Sequence, residues 1–269
     1  VTDHNQMSNS KILNNVDVPG ITLIPGVEWT HYQGHASFLG VDRPYDAPFF
    51  SNSEQEVMAR FSTAHDRRAL IIINHPCDPG CGFHFDLNKL PYDGIEVWNG
   101  PMRESNLAAV ALWQNLLVSG KRIPAIGGSD YHRDNLFQIL GGPCVGVYTL
   151  SNKPSDILSA LRQGHHFIRF APQGPTLDMH VDEKIMGDSI PWEDGQELHL
   201  AAQGLNPGDI IRAITAAESK NLFQAPSEGQ VDLAIPVSEP GFIRVEILRT
   251  FLPGVPPLPA LISNPIYFT

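Results

Sequence analysis

The chain has 269 residues, enough for one large domain or two smaller ones around a substantial core. Its net charge of −11, from 18 basic and 29 acidic side chains, excludes a surface built for nucleic acid or anionic lipid. An anionic substrate stays possible if bound metal ions reverse the local field. Three cysteines make no disulfide framework, no apolar stretch is long enough to cross a bilayer, and no signal peptide is visible. The sequence opens on Val1, at what reads as the end of a strand, so localisation stays open.

Strand and helix patterns alternate over residues 1–165. Ile21–Val27 reads as a buried strand and Ala36–Val41 as the next, after a turn at Gln33-Gly34. Ser53 and Glu56 form an S-x-x-E capping box ahead of Val57, Met58, Phe61 and Ala64, which share one helical face. Ala69–Ile73 is a short, wholly apolar run, as in a parallel strand covered on both faces, and Gly94–Trp98 repeats it. Ser105–Ser119 carries a helical stripe that Gly120 caps. Arg122–Gly127 and Cys144–Leu150 are further strands; Pro154 opens a helix through Leu161, which Gly164 closes. This order predicts a parallel sheet, open or closed into a barrel.

From about Gln173 the helical stripes fade. Short alternating segments follow at Leu177–Val181, Glu197–Ala202, Ile210–Thr215, Val231–Ile235 and Phe242–Leu248, the spacing of a β-sandwich. Ala171–Pro175, with two prolines and a glycine, is the expected linker between an α/β domain at 1–170 and a sandwich at 171–269.

Five segments join an apolar run to a metal-ligand residue: VTDHN at 1–5, PGVEW at 25–29, GHASFLG at 34–40, IIINHP at 71–76 and IGGSDYH at 126–132. In a barrel of parallel strands His4, Glu28, His75 and Asp130 would converge at the C-terminal mouth, with His132 two residues beyond. Imidazole mixed with carboxylate suits borderline and hard divalent cations. Glu28 is either a bridging carboxylate or a solvated loop glutamate. His35 directly precedes an apolar run and is favoured over the competing His31. Asn74-His75-Pro76 halts three isoleucines, so His75 is a ligand or a buried structural group. Gly127 and Gly128 permit close backbone approach and turn Asp130 and His132 to one side. Cys77 and Cys81, beside His75, read as two loop thiols in preference to a zinc knuckle. His84, His165, His166, His180 and His199 read as surface or structural histidines. Arg103 and Arg133 are candidate phosphate clamps, with exposed loop arginines as the plainer reading.

No G-x-S-x-G elbow, P-loop, Rossmann glycine fingerprint or His-Glu-x-x-His is present. TDHN, PGVEW, the GH of GHASFLG, NHP, IEVWNG and GGSDYH, in this order, resemble the PHP (polymerase and histidinol phosphatase) superfamily. Within it they are most similar to the CehA/McbA-like metallohydrolases, and the likeness extends into the C-terminal region through Arg244-Val245-Glu246 and Ser263-Asn264-Pro265-Ile266-Tyr267. The resemblance implies a distorted (β/α)7 TIM-like barrel followed by a β-sandwich, and up to three divalent metals: zinc, manganese or iron. It implies that Glu28 bridges two metals, that His35 and His75 complete the second, that Asp130 joins Glu28 on the first, and that His4 and His132 hold the third.

The family opens with His-x-His on its first strand, followed by a further His or Asp ligand, and this sequence starts after that point. The expectation is therefore that the 269 residues alone keep at most one well-bound metal, show little hydrolysis and expose an open barrel edge. The expected activity is hydrolysis of a phosphorylated small molecule by water activated at a multinuclear site. Hydrolysis of a carbamate, ester or amide, or a binding role without catalysis, are the alternatives. No nucleic-acid or membrane partner is expected, and the oligomeric state stays open.

Overall fold

The computed structural model describes residues 1–13, 15–133 and 138–269, without the side chains of 9–11. The first part contains β1 (Thr2–His4), α1 (Ser8–Leu13), β2 (Gly26–His31), β3 (Gly34–Leu39), α2 (Glu54–Asp66), β4 (Leu70–Ile73), β5 (Gly94–Asn99), α3 (Glu104–Val118) and β6 (Ala125–Gly128). Its strands make one sheet in the order β1-β2-β3-β4-β5-β6. Five strands run parallel and β3 is reversed. The sequence pattern predicts parallel strands throughout; the reversal follows from the connection. Only Tyr32 and Gln33 separate β2 from β3, which suits a hairpin and is too short for a crossover. Gly34 adopts a φ of 142° there, and a Cβ on it would strike Phe83 at 2.5 Å. Among the described residues β1 and β6 do not pair, so the sheet is mixed and no closed barrel forms.

Alternation assigns the two faces. Val27, Trp29, Ala36, Phe38, Ile71 and Ile73 pack with Phe61 of α2 and Trp113 of α3 in the main core. Their neighbours Leu70 and Ile72 face the other way, onto a smaller cluster with Leu161. Burial on both faces explains the unbroken LIII run. Half of the expected capping box forms: the Ser53 hydroxyl accepts the Glu56 N–H, while the Glu56 carboxylate accepts from the N–H of Asn52, one residue ahead of the cap. The strand expected from Ile21 begins only at Gly26, and Ile21 itself is exposed.

The chain continues with β7 (Cys144–Val147), α4 (Pro154–Gln163), β8 (His166–Arg169), β9 (Thr176–Val181), β10 (Lys184–Ile185), β11 (Ser189–Ile190), β12 (Glu197–Leu205), β13 (Ile210–Ile214), β14 (Ser219–Gln224), β15 (Gly229–Pro236), β16 (Gly241–Arg249), β17 (Leu258–Ser263) and β18 (Ile266–Phe268). A four-stranded sheet, β10-β9-β12-β15, faces a larger one in which β11-β18-β16-β17-β8-β7 is extended by β13 and β14. Leu177, Met179, Leu198 and Leu200 from the first sheet and Ile211, Val245, Ile247 and Leu261 from the second fill a core of their own. Strands from both sides of residue 170 share the larger sheet, because β8 pairs with β17. No helix among the described residues is long and apolar enough to cross a membrane.

A buried polar junction ties β6 to that sheet. Asn264 accepts the Ala125 N–H at 2.8 Å and donates to the carbonyls of Ala125 and His166 at 3.2 and 3.0 Å. His166 also donates Nε2–H to the Ala125 carbonyl, at 2.8 Å. Burial drags the His166 imidazole down to about 4, against the pull of that carbonyl. Between about pH 6.5 and 4 the unfolded chain therefore binds a proton that the folded chain refuses, so acidification weakens the fold. Urea melts at pH 7 and pH 4.5 should show His166→Gln losing about 2–3 kcal/mol less than the parent protein over that interval. Equal losses would contradict the assignment.

Candidate metal centre

Strand register brings four of the expected ligands together. His4 lies directly opposite Glu28 across the β1–β2 pair, and His35 opposite Thr30 across the β2–β3 hairpin. Glu28 and Thr30 share a face by the two-residue period, so His4, Glu28 and His35 converge on one face of the sheet. His75 follows β4, whose parallel direction carries it to the same end. The cleft has a volume of about 840 Å³; Glu28, His75, Glu96 and Asp130 line it, over a floor that includes Leu39, Ile72 and Ile126. His31, on the opposite face of β2, stacks on Trp29 and bonds to the Ser51 carbonyl, outside the site.

Glu28 is the hub. Its Oε1 lies 3.0 Å from His35 Nδ1 and 3.6 Å from His75 Nε2, and its Oε2 lies 3.7 Å from His4 Nδ1. Burial pushes this carboxyl up, but hydrogen bonds from His35, His75 and Asn74 outweigh it and hold it well below the usual carboxylate range. Glu28 thus remains anionic. The His75 imidazole is raised: burial lowers it, and Glu28 and Glu96 together overcome that.

Two tautomers follow from their partners. Thr30 Oγ1 lies 2.6 Å from His4 Nδ1 and 3.2 Å from the Glu28 carbonyl; with its proton on that carbonyl it accepts from His4 Nδ1–H. The Asp130 carbonyl can only accept, so His132 donates Nδ1–H to it at 2.8 Å. With each ring neutral and its Nδ1–H so engaged, both Nε2 atoms are unprotonated, and they lie 3.4 Å apart. Two nitrogens about 2.0–2.1 Å from one tetrahedral cation stand about 3.3–3.4 Å apart, so this pair has the spacing of shared ligands. A ligating imidazole typically donates its other N–H to a carbonyl or similar partner, as both do here.

Among the described residues, two groups of three hold their ligand atoms within 4.8 Å of one another: His4, Glu28 and His35, and His35, His75 and Cys81. Asp130 lines the same cleft outside both groups, and His132 joins through His4. Strain marks the same place. Asn5, His75 and Asp130 each adopt a positive φ, of 52°, 26° and 45°. Asn5 is held by reciprocal hydrogen bonds with Thr30, and the His75 N–H is fixed by Glu96 Oε2 at 2.7 Å. Gly127 permits close approach, since a Cβ there would meet Ile168 at 2.5 Å.

Several participants carry no assignment from sequence. Glu96 is buried inside an apolar strand, and burial pushes its carboxyl up to about 7 despite the neighbouring His75. Its signal was a charge within an otherwise wholly buried run. Cys81, which reads from sequence as a loop thiol, belongs to the second group of ligands, while Cys77 packs against the main core. Burial and then Asp78 push the Cys81 thiol up to about 12. Arg103 is half-exposed and engaged by Asp78 and Asn99, each at 3.1 Å. Arg133 is exposed and directly follows His132. His165 and Asp188 pair at 3.1 Å, and His180 stacks on His199, both away from the cleft.

Compared with family models, curated proteins and solved structures, the chain matches none.

Proposed function

We propose that this chain is a metal-dependent hydrolase of PHP type that cleaves a phosphoester of a small molecule. The observation that carries the metal reading is the 3.4 Å approach of the Nε2 atoms of His4 and His132, next to the anionic Glu28. The ordered motifs TDHN, PGVEW, NHP and GGSDYH support the family. In this reading the six-stranded sheet is the wall of a distorted (β/α)7 barrel, and the strands after 171 are a β-sandwich.

His4, Glu28, His35, His75 and His132, with Asp130 beside them, would hold zinc, manganese or iron; the imidazole-rich set suits the first and tolerates the others. Such cations supply Lewis-acid polarisation of a phosphoryl oxygen and lower the pKa of water. Glu28 keeps its negative charge at working pH and so holds cations. Thr30 and the Asp130 carbonyl fix the His4 and His132 rings with Nε2 toward the cleft. Glu96 Oε2 anchors the backbone that presents His75.

A second reading, hydrolysis of a carbamate, ester or amide, draws on one observation. No lysine or arginine lines the cleft among the described residues, so a phosphate would depend on the cations alone for charge. Assays of metal-loaded protein on p-nitrophenyl phosphate, bis-p-nitrophenyl phosphate and p-nitrophenyl acetate separate the two. Metal-dependent phosphoester turnover, low in the 269 residues alone and lost with chelator, is expected. Acetate turnover alone favours the second reading, and none with any substrate once two metals are bound favours a binding protein.

A further inference from the structure

Cys81 stands apart from the carboxylate-centred cluster. His75 presents Nε2 to Glu28 Oε1 and Nδ1 to Cys81 Sγ, each at 3.6 Å. One imidazole therefore faces an oxygen donor on one side and a sulfur donor on the other. His75 is nine-tenths buried. A tetrahedral zinc with nitrogen at about 2.0 Å and sulfur at about 2.3 Å holds the two about 3.5 Å apart, which matches the Nδ1–Sγ separation. His35 completes the arrangement, with its ligand atom inside the same 4.8 Å sphere. His35 comes from β3, and His75 and Cys81 from the loop after β4, so packing of that loop against the hairpin strand builds the group.

We propose that Cys81 is a metal ligand, and that His35, His75 and Cys81 form a position for a thiophilic divalent cation which competes for His35 with the oxygen-bearing His4–Glu28–His35 set. The proposal rests on the metal-centre reading and adds cation choice to it. Thiolate selects zinc over manganese, whereas carboxylate with imidazole serves either. On binding, the sulfur–metal bond replaces the Sγ–H that now donates to Asp78 Oδ1 at 3.3 Å; the proton leaves to solvent and no electron is transferred. Asp78 is held in turn by Arg103 and by the Gly80 and Cys81 N–H groups, which keeps the thiol aimed at His75. Cys77 lies outside the group and serves as the internal control.

Zinc K-edge absorption spectroscopy on the 269-residue chain, loaded with one equivalent, tests this without reference to activity. The expected spectrum has one sulfur neighbour at about 2.3 Å, kept in Cys77→Ser and lost in Cys81→Ser. Chelator competition should show Cys81→Ser losing about tenfold or more in zinc affinity and changing less than about threefold toward manganese. Zinc bound by nitrogen and oxygen alone in the parent protein would overturn the thiolate position and leave the metal centre standing. A sulfur neighbour lost in Cys77→Ser but kept in Cys81→Ser would overturn it as well. No zinc retained at all would overturn both.

Discussion

His35→Ala is expected to lower metal-dependent turnover, and the affinity for zinc, by at least about 100-fold, while the metal-free protein melts within a few degrees of the parent. His35 is the one residue common to both groups of ligand atoms, so its loss leaves each with two members. Losing a mere orienting partner of a ligand costs about 10–100-fold in affinity, and losing the ligand should cost no less. The fold should tolerate the change because the side chain turns to Glu28, while its strand neighbours Ala36 and Phe38 enter the main core from the opposite face. Zinc at 100 times the parent dissociation constant should stabilise the parent by about 2.7 kcal/mol and the variant by about 0.4 kcal/mol or less. Near-parent turnover at saturating zinc would remove His35 from the site.

Glu28→Gln keeps the shape of the hub and deletes its charge, and its effect should be equally large on cation binding. It should also weaken the metal-free fold by about 2–3 kcal/mol near neutral pH, the scale of hydrogen bonds to a buried charge. The direction with pH is fixed by linkage. The folded carboxyl lies below its unfolded value of 4.5, so its stabilisation is present above about pH 4.5 and disappears as the pH falls below that. The gap between parent and variant in urea melts should therefore close on acidification. A gap that is absent at pH 7, or that widens in acid, would mean that Glu28 is not held as a buried anion.

Much of this site was legible because a metal ligand interrupts apolar patterning. Glu28 after PGV, His75 after three isoleucines and Asp130 after two glycines each break a run that local burial would have continued. The strands beneath them were readable for the same reason. What sequence could not supply was strand direction and spatial neighbourhood. A parallel order was expected throughout, yet a two-residue hairpin reverses β3, and only that reversal sets His35 opposite Thr30 and next to Glu28. Glu96 stayed silent because its role depends on a backbone N–H 21 residues away in sequence. Strand β17 was hidden behind PGVPPLP, whose prolines suggest a turn although residues 258–263 pair on both sides. The placement of β7 and β8 in the larger sheet was likewise invisible, since pairing with β17 spans some ninety residues and leaves no local periodic trace.

The central claim is that a divalent cation sits among Glu28, His35 and the histidines around them. Crystals of the protein equilibrated with zinc, measured on both sides of the zinc absorption edge, would locate it. An anomalous peak about 2.0–2.3 Å from His35 and from a second member of the group formed by Glu28, His4, His75 and Cys81 is the expected result. A cleft with no peak under conditions where zinc binds elsewhere on the chain would contradict it.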